Sequence, residues 1–184
     1  MIVRPKAGDA IEVDQAALDR QLAEIVRDWR DELREQLVAR HGEEAGLRLA
    51  NRFGRALPAG YIEEVSPEIA ADDVDHLAAL AGPEDLRLSL YRSRRHSGGI
   101  RFKFYRQLDD IPLSDALPMM ENMGLRVISE HPYRVDADGD VSFIQDFEVE
   151  PLLAGGFDID AIDQNFEDAF ARIWRGDAEN DGFN

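Results

Sequence analysis

Hydrophobic positions along this chain follow two periods, and the switches between them mark its elements. Over residues 14–41, Leu18, Leu22, Ile25, Trp29, Leu33 and Leu37 recur at three- and four-residue steps. That spacing predicts an amphipathic helix with one apolar stripe, capped by Asp14 and stopped by Gly42. A second helix is expected over residues 43–57, with Leu47, Ala50, Phe53 and Leu57 inward and Pro58-Ala59-Gly60 ending it. Ser66-Pro67-Glu68 opens a third, with Ser at the cap and Pro in the first turn. It carries Ile69, Val74, Leu77 and Leu80 as far as Gly82-Pro83.

The period then drops to two. Leu86, Leu88 and Leu90 alternate with Arg87, Ser89 and Tyr91. Beyond Ser97-Gly98-Gly99, Ile100, Phe102 and Phe104 alternate with Arg101, Lys103 and Tyr105. Two matched apolar faces predict a β-hairpin whose other face meets solvent. Residues 112–123 read as a helix with Leu113, Ala116, Leu117 and Met120 on one face and Gly124 as its stop. Extended pieces at 125–128 and 133–135 flank His131-Pro132, and Asp138-Gly139 predicts a tight turn. A returning strand carries Val141, Phe143, Gln145, Phe147 and Val149 and ends at Pro151. A last helix, 160–174, places Ile162, Phe166, Phe170 and Ile173 on one stripe.

From residue 67 to 150 the order is αββαββ. A ferredoxin-like βαββαβ unit gives this order when its first strand is moved to the end. The expected fold is α+β: a four-stranded antiparallel sheet with two helices on one face, two N-terminal flanking helices and a C-terminal helix. The flanking helices would cover the other face, or leave it open for a partner. The expected organisation is a helical segment at 1–62, the α+β domain at 63–152, and a C-terminal helical stretch at 153–184.

Composition narrows the function. The 184 residues carry a net charge of −17 and no Cys. Disulfides, zinc–thiolate sites and thiol nucleophiles are excluded. No stretch approaches a spanning helix, and the first ten residues lack the apolar core of a signal peptide, so a cytoplasmic location is the default. The acidic total argues against nucleic acid and anionic membrane as partners. Charge is uneven, however. Seven basic residues and no acidic one lie between Arg87 and Arg106, leaving 14 basic against 38 acidic elsewhere, a net −24. This stretch reads either as a hairpin's solvated or partner-facing surface, or as a site for a carboxylate.

Motifs for chemistry are missing. There is no G-x-G-x-x-G, P-loop or G-x-S-x-G, and His41, His76, His96 and His131 have no metal-ligand spacing. Asp72-Asp73-Val74-Asp75-His76 reads as an acid-rich, solvated helix face. Asp136, Asp138 and Asp140 resemble the start of a calcium loop, but Val141 occupies the required Gly position and Phe147 the required Glu, so a turn is expected.

The stretch from Pro112 to Tyr133, PLSDALPMMENMGLRVISEHPY, resembles the large bacterial NAD-dependent glutamate dehydrogenases. Phe53-Gly54, Leu57-Pro58 with Tyr61, 88–92, and Arg101-Phe102-Lys103-Phe104-Tyr105 are similar too. Asp146-Phe147 follows Gln145 where the family has His, and residues 174–184 match a motif that continues further in the family. The resemblance implies an ACT-like segment preceding the catalytic domain. On that basis no catalytic, metal or cofactor-binding residue is expected here. NAD and the oxidative deamination of L-glutamate to 2-oxoglutarate belong to the parent enzyme, and the partners are the rest of its chain and its homo-oligomer. Arg92, Arg94, Arg95, Asn122 and Gly124 are the residues expected to hold an amino-acid effector or a neighbouring domain. Structural packing is the leading reading, an amino-acid sensor the second, and an independent ferredoxin-like enzyme the third.

Overall fold

A computed structural model of the chain describes residues 15–93, 99–152 and 159–174. Four helices come first: α1 (Gln15–His41), α2 (Glu43–Phe53), α3 (Ala59–Glu64) and α4 (Pro67–Ala78). Strands β1 (Arg87–Arg92) and β2 (Ile100–Gln107) follow, then α5 (Leu113–Asn122), β3 (Leu125–Ala137), β4 (Asp140–Pro151) and α6 (Ile159–Trp174). The strands form one antiparallel sheet in the order β1-β2-β4-β3. Moving the first strand of a ferredoxin-like unit to its end produces this order. The β3–β4 connection is the expected tight turn: Asp138 and Gly139 have φ of 58° and 90°, as a two-residue hairpin requires.

The sheet has two unlike faces, and each is covered by helices. On one, Leu88, Leu90, Phe102, Phe104 and Phe147 pack against α5 and α6. Phe170 lies 5.3 Å from Phe102 and 4.9 Å from Phe104, ring centre to ring centre, so the two apolar stripes read from the sequence meet each other. Glu167 of α6 also accepts the Leu90 backbone N–H at 2.7 Å, on the outer strand. Gln145, buried here, holds both the N–H and the C=O of Ile111, at 2.7 and 2.9 Å, which fixes the chain's entry into α5. Opposite this face lies a layer built from α1 to α4, in which Trp29, Leu33, Tyr61, Val74 and Leu77 pack against Tyr105, Tyr133 and Ile144.

This corrects the expected pairing of helices with faces. The helix that joins α5 on the sheet is α6, and α4 belongs to the opposite, N-terminal layer. A short α3 stands where only a chain break was expected. Leu47 and Leu113, expected inward, are exposed, and α5 ends at Asn122, one residue before the expected Met123.

A β-bulge accounts for the split character of β3. Val127 pairs with Val149 and Ser129 with Glu148, so Ile128 is the extra residue. Leu125, Val127, Tyr133 and Val135 are all odd-numbered, and uninterrupted alternation would place them on one face. The added residue reverses the parity. Leu125 and Val127 face α5, while Tyr133, Val135 and Ala137 face the helical layer.

Within that layer Gly42 turns the chain back at φ 79°, and α2 runs against α1 at very close range. A Cβ on Gly46 would stand 2.5 Å from the Val38 Cα. Gly46→Ala, which in an open helix would stabilise by up to about 1 kcal/mol, is therefore expected to destabilise by about 1–3 kcal/mol. Urea denaturation of the two proteins measures the sign directly.

Candidate functional site between the helical layer and the sheet

Lys103 lies at the centre of β2, with Asp146 of β4 directly across the ladder. Strand alternation turns its side chain toward the helices, where it has no exposure. Asp73 comes from α4, on the same stripe as Ala70 and Leu77, and is buried as well. Its carboxylate accepts from Lys103 Nζ at 2.5 Å, from the Tyr105 hydroxyl at 2.7 Å, and from the Tyr61 hydroxyl. Lys103 also stands 3.8 Å from Asp146 and 5.3 Å from the centre of the Tyr91 ring. Arg101, one ladder step away from Lys103 on the same face, grips Asp146 with Nε and Nη2, both at 2.9 Å.

Two ammonium or guanidinium groups thus face two carboxylates, and the cluster is neutral. Burial alone would lower the Lys103 pKa, but Asp73 and Asp146 outweigh it and hold the pKa above its ordinary 10.5. Burial pushes the Asp146 carboxyl above 3.8 against the pull of Lys103 and Arg101, and raises the Tyr91 hydroxyl to about 12. His76, stacked on Tyr105 at 4.6 Å, is held below 6.5 by burial.

The polar contacts continue outward along the same face. Glu148 lies 4.0 Å from Arg101 and accepts from Ser129 at 3.2 Å. The Ser129 hydroxyl is 3.4 Å from His131 Nε2, and the His131 Nδ1 is 3.0 Å from Glu64. Glu64 accepts from Tyr133 at 2.7 Å. Beside this chain of contacts a cavity of about 370 Å³ opens between the layers. Val65 and Ile69 from the helical side and Tyr91, Ser93, Gly99, Arg101, Asp146 and Glu148 from the sheet line it, with Glu64 and His131.

At Arg101 and Lys103 the basic stretch therefore turns inward, while Arg87 and Arg92 are exposed. Lys103 and Arg101 pair with Asp73 and Asp146. Arg87 bonds Asp85 and the Ala79 carbonyl at 3.3 and 3.0 Å, and Arg106 bonds the Pro83 carbonyl at 3.2 Å. The acid-rich Asp72–His76 stretch is corrected likewise. Asp73 and His76 turn inward, while Asp72 and Asp75 pair with Arg40, and Asp75 with His41 at 2.7 Å. Of the residues singled out from sequence, Arg92 is exposed at the end of β1. Arg94 and Arg95 lie outside the described residues. Asn122 and Gly124 (φ 83°) lie at the C-terminal end of α5, beside β3. Arg92 and Gly124 sit by opposite edge strands, three inter-strand spacings or about 14 Å apart, so these residues do not form one site.

Lys103→Met leaves Asp73 buried without its counter-charge and is expected to cost about 3–5 kcal/mol. Adding Asp73→Asn removes that charge and is expected to restore more than half of the loss. Because the folded pKa of Lys103 is raised above 10.5, its stabilisation is complete below pH 10.5 and lost as pH rises through the folded value. Urea titrations from neutral pH to about pH 10 should therefore show a constant gap between the native chain and Lys103→Met.

Residues 85–162 match the profile described as glutamate dehydrogenase, ACT3 domain, and residues 36–80 the one described as glutamate dehydrogenase, helical motif 2. The NAD-specific glutamate dehydrogenase of Halomonas elongata is 40% identical over 184 residues, which is 100% of this chain and 11% of that protein. The corresponding figures for the Pseudomonas aeruginosa protein of the same name are 34% over 185 residues, 100% and 11%. For that of Mycobacterium tuberculosis they are 27% over 183 residues, 96% and 11%. The chain thus spans about one-ninth of the length of these curated relatives. The two profiles fall on the two layers joined by Asp73 and Lys103: the chain is a segment of the NAD-specific glutamate dehydrogenase family, carrying its helical motif 2 and its ACT3 domain.

Proposed function

We propose that this segment is a non-catalytic packing unit of an NAD-dependent glutamate dehydrogenase. The whole enzyme would oxidise L-glutamate to 2-oxoglutarate in the cytoplasm, with NAD and the reacting groups held by other parts of the chain. One observation carries the reading: the ionised groups buried between the layers are satisfied by one another. Such an arrangement holds two layers in fixed relation. Among the described residues no helix is long and apolar enough to cross a membrane.

The surface that would meet the rest of the enzyme is marked on α1. Its 27 residues span about 40 Å, and from residue 19 onward the first buried side chain is Trp29. Leu22 and Ile25, on the same stripe, are 44% and 61% exposed. Arg92, Arg94, Arg95, Asn122 and Gly124 are proposed as further contacts with neighbouring domains or subunits of the homo-oligomer. Leu22→Glu with Ile25→Glu in the full-length enzyme is expected to weaken assembly by at least about tenfold in concentration, read by sedimentation. The same pair in the 184-residue chain should move its unfolding midpoint by less than about 0.5 kcal/mol.

A second reading, an amino-acid sensor, is favoured by the cavity alone. A saturable rise in unfolding temperature with glutamate, aspartate or arginine would select it. No rise with any of them is the outcome expected for a packing unit.

A further inference from the structure

We propose that the N-terminal half of α1 docks an amphipathic helix with basic rims, supplied by the part of the enzyme outside this segment. The inference rests on the packing reading and names the chemistry of what α1 meets. From residue 19 to 28 every side chain is exposed except Val26, which is half-buried against the core. A helical stretch of about this length is marginal in water on its own, and most helices owe their stability to the packing of an apolar face. Here Leu22 and Ile25 display such a face to solvent.

The spacing of the apolar positions sets the shape that fits. Leu22, Ile25 and Trp29 are three and four residues apart, the seam of two helices packed side by side at a shallow angle. After Trp29 the step becomes four and four, through Leu33 and Leu37, and the stripe turns onto its own layer. Trp29 is fixed there by its Nε1, which donates to the Val65 carbonyl at 2.8 Å. Ile25 and Leu22 thus lie about one and two turns beyond the point where the internal partners of the stripe stop.

Charge around the seam selects the partner. At about 100° per residue, Asp19 and Asp28 stand about 90° to either side of the line between Leu22 and Ile25, on its two rims, with Gln21 and Val26 nearer to it. Arg20 and Arg27 lie on the far side of the helix. The Asp28 contact with Arg27, at 3.6 Å between side chains 68% and 69% exposed, is of the kind that contributes little. A second copy of the segment would set acidic and neutral rims against the same, and no ion pair would form across the seam. A helix with Lys or Arg at its rim positions would pair with Asp19 on one side and Asp28 on the other while covering Leu22 and Ile25. The chain spans about one-ninth of the length of its relatives, so most of the enzyme remains to supply that helix.

The test is photo-cross-linking in the full-length enzyme, with p-benzoylphenylalanine in place of Gln21, beside the seam, where Leu22 and Ile25 stay intact. Irradiation is expected to give one main product. Peptide mass spectrometry should map it to a segment outside these 184 residues, with apolar residues at three- and four-residue steps and Lys or Arg beside them. Asp19→Lys with Asp28→Lys should lower the cross-link yield at least about fivefold. Glu24→Lys, exposed and away from the seam, should leave it unchanged. A product joining α1 to α1 of a second copy, or to a segment without basic residues, would overturn the inference, as would a yield unmoved by the two lysines. The packing reading would stand in each of these cases. No cross-link at all would overturn the inference too, and if Leu22→Glu with Ile25→Glu also leaves assembly unchanged, the packing reading falls with it.

Discussion

The meeting of Lys103 and Asp73 is the constraint around which the rest is arranged. A lone buried ammonium or carboxylate costs several kcal/mol, and only a close partner with further hydrogen bonds offsets it. Here the partner comes from a different layer, 30 positions earlier in the chain. A one-residue slip of β2 would turn Lys103 into the phenylalanine cluster and Phe102 and Phe104 toward Asp73. The pair thus enforces register more than it adds net stability. It also fixes which side of the sheet the helical layer occupies, because α4 must present Asp73 to that face.

The other features follow from having two dissimilar faces on one sheet. The apolar face closes with aromatic rings from α5, α6 and the central strands. The polar face has to satisfy Lys103, Arg101 and two aspartates, and does so with tyrosine hydroxyls and a chain of side chains running out to Glu64. The bulge at Ile128 is needed because β3 serves both faces: its start lies under α5 and its remainder under α3 and α2. Arg52 of α2 reaches Asp140 at the β3–β4 turn at 2.8 Å, a further, exposed tie between the layers. The cavity lies where the apolar packing of the helical layer gives way to this polar chain.

Much of this was legible in the sequence, and the omissions have physical reasons. Period-two alternation set β1 and β2, and the stripe of α6 announced Phe166 and Phe170. The cyclic order of elements predicted the four-stranded antiparallel sheet. It could not assign helices to faces, because α4 and α6 are both amphipathic and both lie next to the sheet in sequence. Lys103 reads as solvent-facing because it shares its parity with Arg101 and Tyr105, which imitates a wet face. The signal against that reading was present: Asp73 lies three after Ala70 and four before Leu77, on the buried stripe of its helix. A charge there requires a buried partner, and Lys103 lies two residues before Tyr105, which bonds the same carboxylate. The bulge left no mark, since Leu125, Val127, Tyr133, Val135 and Ala137, the inward apolar positions of β3, all have the same parity.

If this pair makes helical motif and sheet one cooperative unit, their slowest amides must open together. Native-state hydrogen exchange of the chain measures this residue by residue. The expected result is one common opening free energy for the protected amides of α4, β2 and β4, falling together in Lys103→Met. A helical layer whose amides exchange through a separate, lower-energy opening while the sheet stays protected would contradict the account.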